Sequence, residues 1–255
     1  MNKFIMNPYY QTLYVVWGNQ ILFFSMLFYF LFVHNNYYIL LLFPIALFTF
    51  GAMSEISLHR YYTHKSYNTS KFKDNILKLF AFLTGQGAII SWVTVHRYHH
   101  AFEDTELDPH SPLHRPAWKI FLGIFPKNYK KNLVTDLLKS KSRRYYLFEN
   151  KYYWLMWSSL WILSFLINPV IFFFIVAGSA IWYIVTGNVN YWLHKGPGHK
   201  EHNDAVGYNS SFANLLCGAG HHNNHHKNPR SYTYSTGKEK DPYAWVIEKF
   251  FIIKE

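Results

Sequence analysis

The stretch Gly220-His221-His222-Asn223-Asn224-His225-His226 places four histidines within six residues. Neither packing nor solubility requires so many imidazoles in one place. On a helix, His222, His225 and His226 are separated by three and four residues, so their rings lie on one face. The stretch therefore predicts a short helix that presents three imidazole nitrogens to one small volume, as a bound metal ion requires.

Two further clusters precede it. His96-Arg97-Tyr98-His99-His100 repeats the His-x-x-His-His spacing, whereas His59 and His64 are five residues apart. A five-residue step does not return to the same face of a straight α-helix, so we expect the helix there to end and unwind into a turn. Asn190 and His194 form an i, i+4 pair. The histidines with ligand spacing are too many for one metal ion and suit two: His59, His64, His96, His99, His100, His194, His222, His225 and His226.

A lone histidine is more often an ordinary core or surface residue than a ligand, but three clusters together favour a metal site. Imidazole suits iron, copper, zinc and nickel, and the presence of only one cysteine argues against a structural zinc site of the cysteine type. That residue, Cys217, has no disulfide partner, and we expect it to be small and buried beside the third cluster. Four carboxylates are candidates to orient ligand rings from outside: Glu55, Glu103, Asp104 and Asp108. For Glu55 the alternative is an ion pair with a nearby basic residue.

The distribution of charge indicates a membrane protein rather than a nucleic-acid-binding one. The chain has 255 residues, a formal net charge of +11 and 50% hydrophobic residues. No Lys or Arg occurs from Phe4 to His59 or from Tyr152 to His194, and Glu55 is the only acidic residue in these two blocks. Each block is long enough for two spans of about 20 residues.

We therefore predict an all-α integral membrane protein with one domain over residues 1–255 and four transmembrane helices in two hairpins. The hairpins turn at His34-Asn35-Asn36 and at Asn168-Pro169, where proline suits a turn. Basic residues flank the blocks and avoid both turns, which places both termini in the cytoplasm. All three clusters then lie in a cytoplasmic helical cap that holds a dimetal site. The predicted spans are residues 10–33, 37–58, 152–167 and 170–191.

Two apolar segments need a separate interpretation. Residues 76–95 resemble a fifth span, but crossing the membrane there would separate the second cluster from the first. We expect a helix pair that lies on the membrane surface or packs under the cap. The tail, residues 241–253, mixes aromatic and aliphatic residues with Lys and Glu, and this predicts an amphipathic interfacial helix.

The order of the three clusters around two hydrophobic hairpins resembles the membrane fatty acyl desaturases, in particular the delta-9, stearoyl-CoA desaturase-like branch. The Asn190–His194 pair, Asp-Pro-His-Ser-Pro at 108–112 and Asp-Pro-Tyr-Ala-Trp-Val-Ile at 241–247 are also similar to that family. The resemblance implies an oxidoreductase that uses two irons, O2 and two electrons to place a cis double bond, at delta-9, in a saturated acyl chain. It further implies that the nine histidines are the iron ligands, with Asn190 acting through water, and that no other side chain is catalytic.

Some residues depart from the family pattern. Thr94-Val95 stand where acyl-CoA-using relatives commonly have Arg-Asp, so acyl-CoA, acyl-lipid and carrier-protein substrates all stay open. Gly218-Ala219-Gly220 replaces Gly-Glu-x before the third cluster. No His-Pro-Gly-Gly run marks a fused heme domain, so we expect a separate electron donor, a ferredoxin or a cytochrome b5-like protein, on the basic face. The short form suggests an enzyme of a bacterial inner membrane, with membrane lipid around it.

Two other functions are open on the sequence alone. A related di-iron membrane hydroxylase would share the clusters, although the Asn190–His194 pair and the 108–112 run favour a desaturase. A metal-transport membrane protein would need ionisable groups within the spans, and Glu55 is the only one there.

Overall fold

The computed structural model describes residues 8–126, 129, 131–196, 198–210, 212, 218–237 and 239–253. Cys217 lies outside the described residues. Within them the regular structure is helical, with two isolated β-bridges at Asn209, and this confirms the all-α prediction. The α-helices are α1 (Pro8–Phe28), α2 (Leu42–Met53), α3 (Lys71–Leu83), α4 (Ile89–Ala101), α5 (Ala117–Phe121), α6 (Thr135–Lys139), α7 (Arg143–Ile167), α8 (Pro169–Lys195), α9 (His222–Lys227) and α10 (Pro242–Val246).

Among the described residues, three helical segments are long and apolar enough to cross a membrane: Pro8–Val33, Tyr37–Thr63 and Pro169–Lys195. The first is α1 with a π-helical extension, and the second joins a 3-10 turn, α2 and a π-helix. These match three of the four predicted spans. The fourth differs, because α7 begins at Arg143 rather than at residue 152 and carries charged residues in its first turns. These charges and several Tyr and Trp residues lower its hydropathy, so α7 is not one of the three candidate spans.

Helix α8 is the centre of the membrane bundle and packs against α1, α2 and α7. Its start follows local rules: Pro169 occupies the first turn, and the Asn168 side chain accepts a hydrogen bond from the Val170 N–H at 2.7 Å. Gly178 allows the close approach of α2, since a Cβ there would overlap the Phe50 ring. Inside a bilayer the hydrophobic effect does not drive helices together, and small residues at helix crossings allow the close van der Waals packing that does.

Residues 76–95 form parts of two helices, α3 and α4, as predicted. Each helix has 13 residues, too few to cross a membrane. The break between them contains Gly85 (φ +71°) and Gly87 (φ +122°), which adopt backbone conformations that favour glycine. The start of α4 rests on α7, where Glu149 Oε2 accepts from the Ile89 N–H and Tyr153 Oη accepts from the Gly87 N–H.

The tail also forms the predicted amphipathic helix. Asp241 caps α10 by accepting a hydrogen bond from the Ala244 N–H at 3.0 Å, and a π-helical segment, Ile247–Phe251, follows. One face is buried against the first cluster's helix, and Trp245 and Phe250 are exposed on the other.

Candidate metal centre

The five-residue step between His59 and His64 has a different origin from the one we expected. The chain does not unwind before Thr63; instead Ser54–Thr63 is a π-helix, and the His64 N–H donates to the His59 carbonyl at 3.2 Å. In a π-helix the bonds join residues five apart, so both rings lie on the same side, with centroids 5.1 Å apart. The helix ends at Thr63 and a turn begins at His64, as expected, but the five-residue step itself arises from π-helical hydrogen bonds, which α-helical periodicity does not predict.

The nine predicted histidines come together in two groups, each with one nitrogen per ring within 4.8 Å of the others. Helices α4 and α9 contribute to both groups, because adjacent residues on a helix point about 100° apart. His100 and His225 therefore face one group while His99 and His226 face the other. The first histidine group is His59, His64, His96, His100 and His225, and the second histidine group is His99, His194, His222 and His226.

The four carboxylates singled out from the sequence all contact Nδ1 atoms of these rings. His59 donates to Glu55 at 2.8 Å, His99 to Asp108 at 2.8 Å, and His194 to Asp104 at 3.1 Å. Glu103 accepts from two rings, His100 at 2.9 Å and His226 at 2.7 Å. A carboxylate acts only as an acceptor, so each of these rings carries its proton on Nδ1 and has a lone pair on Nε2. Glu55 also lies 3.8 Å from Arg60, so it contacts both a histidine ring and a basic residue.

The Nε2 atoms converge on one another, and this arrangement fits metal ions. His194 and His222 approach to 2.7 Å through their Nε2 atoms, and His59 and His225 approach to 3.1 Å. With Nδ1 of His59 and His194 protonated, these inward nitrogens are acceptors, and a cation between the rings would bind the lone pairs that face each other. The donor set is imidazole nitrogen throughout, which suits iron, copper or zinc.

Burial keeps the rings in the form that binds metal. Burial lowers the pKa of His96, His99, His222 and His225 well below the usual histidine value, and the neighbouring imidazoles lower each pKa further. Because neutral imidazole is the form that binds metal, both histidine groups can accept a cation at neutral pH. Burial also raises the pKa of Asp108 to about 6, against the backbone N–H groups that bind it.

The loop after α4 carries three of the four carboxylates, and its own hydrogen bonds hold two of them, Asp104 and Asp108. Asp104 has a positive φ of +55°, and its N–H donates to Asp108 Oδ2 at 3.0 Å. Asp108 Oδ1 accepts from the His110 N–H at 3.0 Å, and Ser111 Oγ donates to Asp104 at 2.9 Å. These bonds orient Asp104 and Asp108 before any ring binds them, and the acidic composition of the loop was the signal in the sequence.

His110 lies beside the second histidine group and is not among the nine histidines that the sequence spacing indicated. Its ring packs on His99 with centroids 4.2 Å apart, and burial lowers its pKa to about 3. It lacks a partner at ligand spacing, so only the fold brings it beside the second histidine group. His114 is exposed and lies against the Asp104 carbonyl, away from both histidine groups.

Two asparagines between the ligands of α9 fasten this six-residue helix. Asn223 Nδ2 lies within hydrogen-bonding distance of four carbonyls in residues 202–207, and its Oδ1 accepts from the His202 N–H at 2.7 Å. Asn224 donates to the Tyr234 carbonyl, and Asn209 accepts from the first N–H groups of the helix. A buried helix without an apolar face needs such hydrogen-bond partners on the side opposite its ligands. Asparagines between ligand histidines are therefore the sequence signal for this anchoring role.

A cavity of about 360 Å³ reaches both histidine groups. Its lining is mostly apolar and comes chiefly from α1, α4 and α8. His59 and His96 of the first group and His222 of the second lie in its wall, and so does Asn190, one turn before His194 on α8. An extended apolar molecule in this cavity would lie next to the candidate metal ligands.

Residues 35–248 match the sequence profile of the fatty acid desaturases. The chain belongs to the fatty acid desaturase family. Members of this family are oxidoreductases that act on acyl chains, and the helical spans and histidine groups agree with that membership.

Three relatives show the range of activities in the family. The chain is 31% identical to the delta-9 desaturase-like 2 protein of Arabidopsis thaliana over 76% of its own length and 67% of that protein's. It is 31% identical to the hex-5-enoyl-[acyl-carrier protein] acetylenase of Moorena producens (49% and 41%) and 31% identical to the icosanoyl-CoA 5-desaturase of Limnanthes douglasii (75% and 56%). The chain thus spans less than two thirds of the last two, and the names differ in bond position and acyl carrier.

Proposed function

We propose that the chain is an O2-dependent fatty acyl desaturase that introduces a cis double bond, at delta-9, into a saturated acyl chain. The observation that carries this proposal is the pair of converging histidine groups in the wall of an apolar cavity. No amino-acid side chain is an oxidant strong enough to break an unactivated C–H bond. Two irons in these groups would supply that oxidation with O2, which is reduced to water.

The ligand assignment follows the two groups. The first histidine group would hold one iron, and the second would hold the other together with Asn190 through a water molecule. Asn190 lines the cavity one turn before His194, which supports this role. The carboxylates Glu55, Glu103, Asp104 and Asp108 would hold the ligand rings in their tautomers from outside.

Trp92 would position the acyl chain beside the first histidine group. Its indole stacks on the His96 ring, with centroids 4.8 Å apart and planes at 23°, and it lines the cavity. Its Nε1 donates to Gln86 Oε1 at 3.1 Å, and Gln86 also accepts from Ser54. With its polar edge satisfied, the indole offers an apolar surface that holds the alkyl chain in one position, and such positioning contributes to the rate of the reaction.

We place the chain in a membrane with four spans, in which α7 crosses together with the three apolar helices. The second half of α7 supports this, because its apolar side chains at Ile162, Leu163, Leu166 and Ile167 are exposed as lipid contact would require. Helix α7 also packs against α1 and α8. By the distribution of basic residues, both termini and the histidine groups face the cytoplasm, and the membrane is the inner membrane of a bacterium.

The acyl group would arrive on CoA or on a lipid. Thr94 and Val95 line the cavity and carry no charge for the phosphates of CoA, which keeps an acyl-lipid substrate open beside acyl-CoA. The two electrons would come from a separate ferredoxin or cytochrome b5-like protein, attracted by the basic cytoplasmic face.

The lipid profile of a host that expresses the chain tests the proposal. We expect a new monounsaturated acid, with its double bond at delta-9, that is absent when His99→Ala is expressed. His199→Ala is the matched control, because His199 is exposed and lies outside both histidine groups, and it should keep the product. A hydroxylated product would instead support a hydroxylase, and an acetylenic product would support an acetylenase. The same lipid profile from wild type and His99→Ala would refute the assignment.

A further inference from the structure

Glu103 is the one carboxylate among the described residues that contacts rings of both histidine groups. Its Oε1 accepts from Nδ1 of His100 at 2.9 Å and from Nδ1 of His226 at 2.7 Å. His100 belongs to the first histidine group and His226 to the second. A single oxygen atom therefore joins a ligand ring of each candidate metal.

The other three carboxylates each serve one group. Glu55 contacts His59 of the first group, whereas Asp104 contacts His194 and Asp108 contacts His99, both of the second. Glu103 is also partly accessible, with 24% of its side chain exposed, so the protein does not need it to fill the core. Its position is defined by the two rings that it accepts from.

We propose that Glu103 is a positioning residue that couples the two metal sites, so that filling one site orders a ligand of the other. This inference rests on the dimetal assignment above. A metal bound to the first group fixes the His100 ring, and its Nδ1–H then fixes Glu103 Oε1. The same oxygen holds the His226 ring in the orientation that the second metal requires. The second metal then binds a ligand that has already lost its freedom, which lowers the entropy cost of binding.

The test compares iron retention by single-carboxylate variants of the full chain in detergent. Each variant is loaded with ferrous iron and dialysed against a graded series of chelator concentrations, and iron per chain is measured. Removing an outer hydrogen-bond partner of a ligand typically lowers metal affinity by about 10- to 100-fold. We expect Glu103→Gln to weaken both irons by such a factor. Asp108→Asn keeps Glu103, so it should weaken the iron of the second group most and the iron of the first group by a smaller factor, because coupling between two sites is reciprocal. A first-group iron that Asp108→Asn retains as in wild type contradicts the coupling.

Glu106→Gln removes an exposed carboxylate from the same loop and should retain both irons like wild type. Helix content and size-exclusion profiles establish whether each variant is folded. If Glu103→Gln is not folded, iron retention is measured on Glu103→Asp instead, with the same expected result. Loss of one iron alone from the Glu103 variant, or of neither, overturns the coupling. Wild type that binds no iron overturns the proposed function instead, so the two failures are distinguishable.

Discussion

Asp241→Ala should destabilise the protein strongly, because it removes the close carboxylate partner of a buried charge and leaves only the more distant Glu55, 3.8 Å away. The Arg60 side chain is fully buried, and Asp241 is its close ion-pair partner at 2.9 Å. Breaking a buried ion pair from one side costs about 3–5 kcal/mol. Asp241 also caps α10, which adds about 1 kcal/mol, and it accepts from the Tyr234 N–H. We therefore expect the free energy of unfolding to fall by an amount near the upper end of that range.

Two comparisons separate the charge from the cap. Asp241→Asn keeps a side chain that can cap the helix and accept from Arg60, so its loss should be smaller than that of Asp241→Ala. Arg60→Met should cost less in the Asp241→Asn background than in wild type, with a coupling of at least about 1 kcal/mol between the two sites. The measurement is chemical unfolding in detergent micelles, followed by helix content.

The matched control is Asp204→Ala, which removes a solvent-exposed ion pair with Lys227. Surface pairs contribute little because water and salt screen them, so this variant should unfold like wild type. If Asp241→Ala unfolds at the same denaturant concentration as Asp204→Ala, the buried Arg60–Asp241 pair does not stabilise the contact between the tail and the helix that carries His59.

Three further outcomes follow from single side chains. Burial raises the pKa of Glu149 to about 8 from an ordinary value of 4.5. The folded protein therefore loses stability as pH rises from 4.5 to about 8, because the unfolded chain releases this proton more readily. Glu149→Gln, which mimics the neutral acid, should have a higher melting temperature than wild type, by a margin that grows from about pH 5 to about pH 8. Gly85→Ala should lower the free energy of unfolding by at least about 1 kcal/mol, since φ is +71° and a Cβ would overlap Ser179 Oγ. Asn223→Ala should lower iron retention without loss of helix content, because α9 loses its bonds to residues 202–207.

The cluster spacing was informative wherever ligands lie on one regular helix. His96, His99 and His100 on α4, and His222, His225 and His226 on α9, were identified as candidate ligands by their i, i+3 and i+4 spacing. The expectation that the three rings of α9 face one volume was wrong, because His225 faces the first histidine group while His222 and His226 face the second. Charge depletion likewise located three apolar spans, because a long apolar segment without ionisable residues is stable chiefly in a bilayer. The ends were less accurate, and α7 extends well before its predicted span.

The sequence alone indicated which histidines are candidate ligands, since periodicity and composition are local properties. Only the tertiary structure decided how they divide into two groups, because His99 and His100 are neighbours in sequence and yet face different groups. The π-helix at His59 and the burial of His110 also depend on packing against distant segments, whose contacts leave no local pattern. The shared contact of Glu103 arises in the same way: it joins rings from α4 and α9, and 123 residues separate it from His226 along the chain.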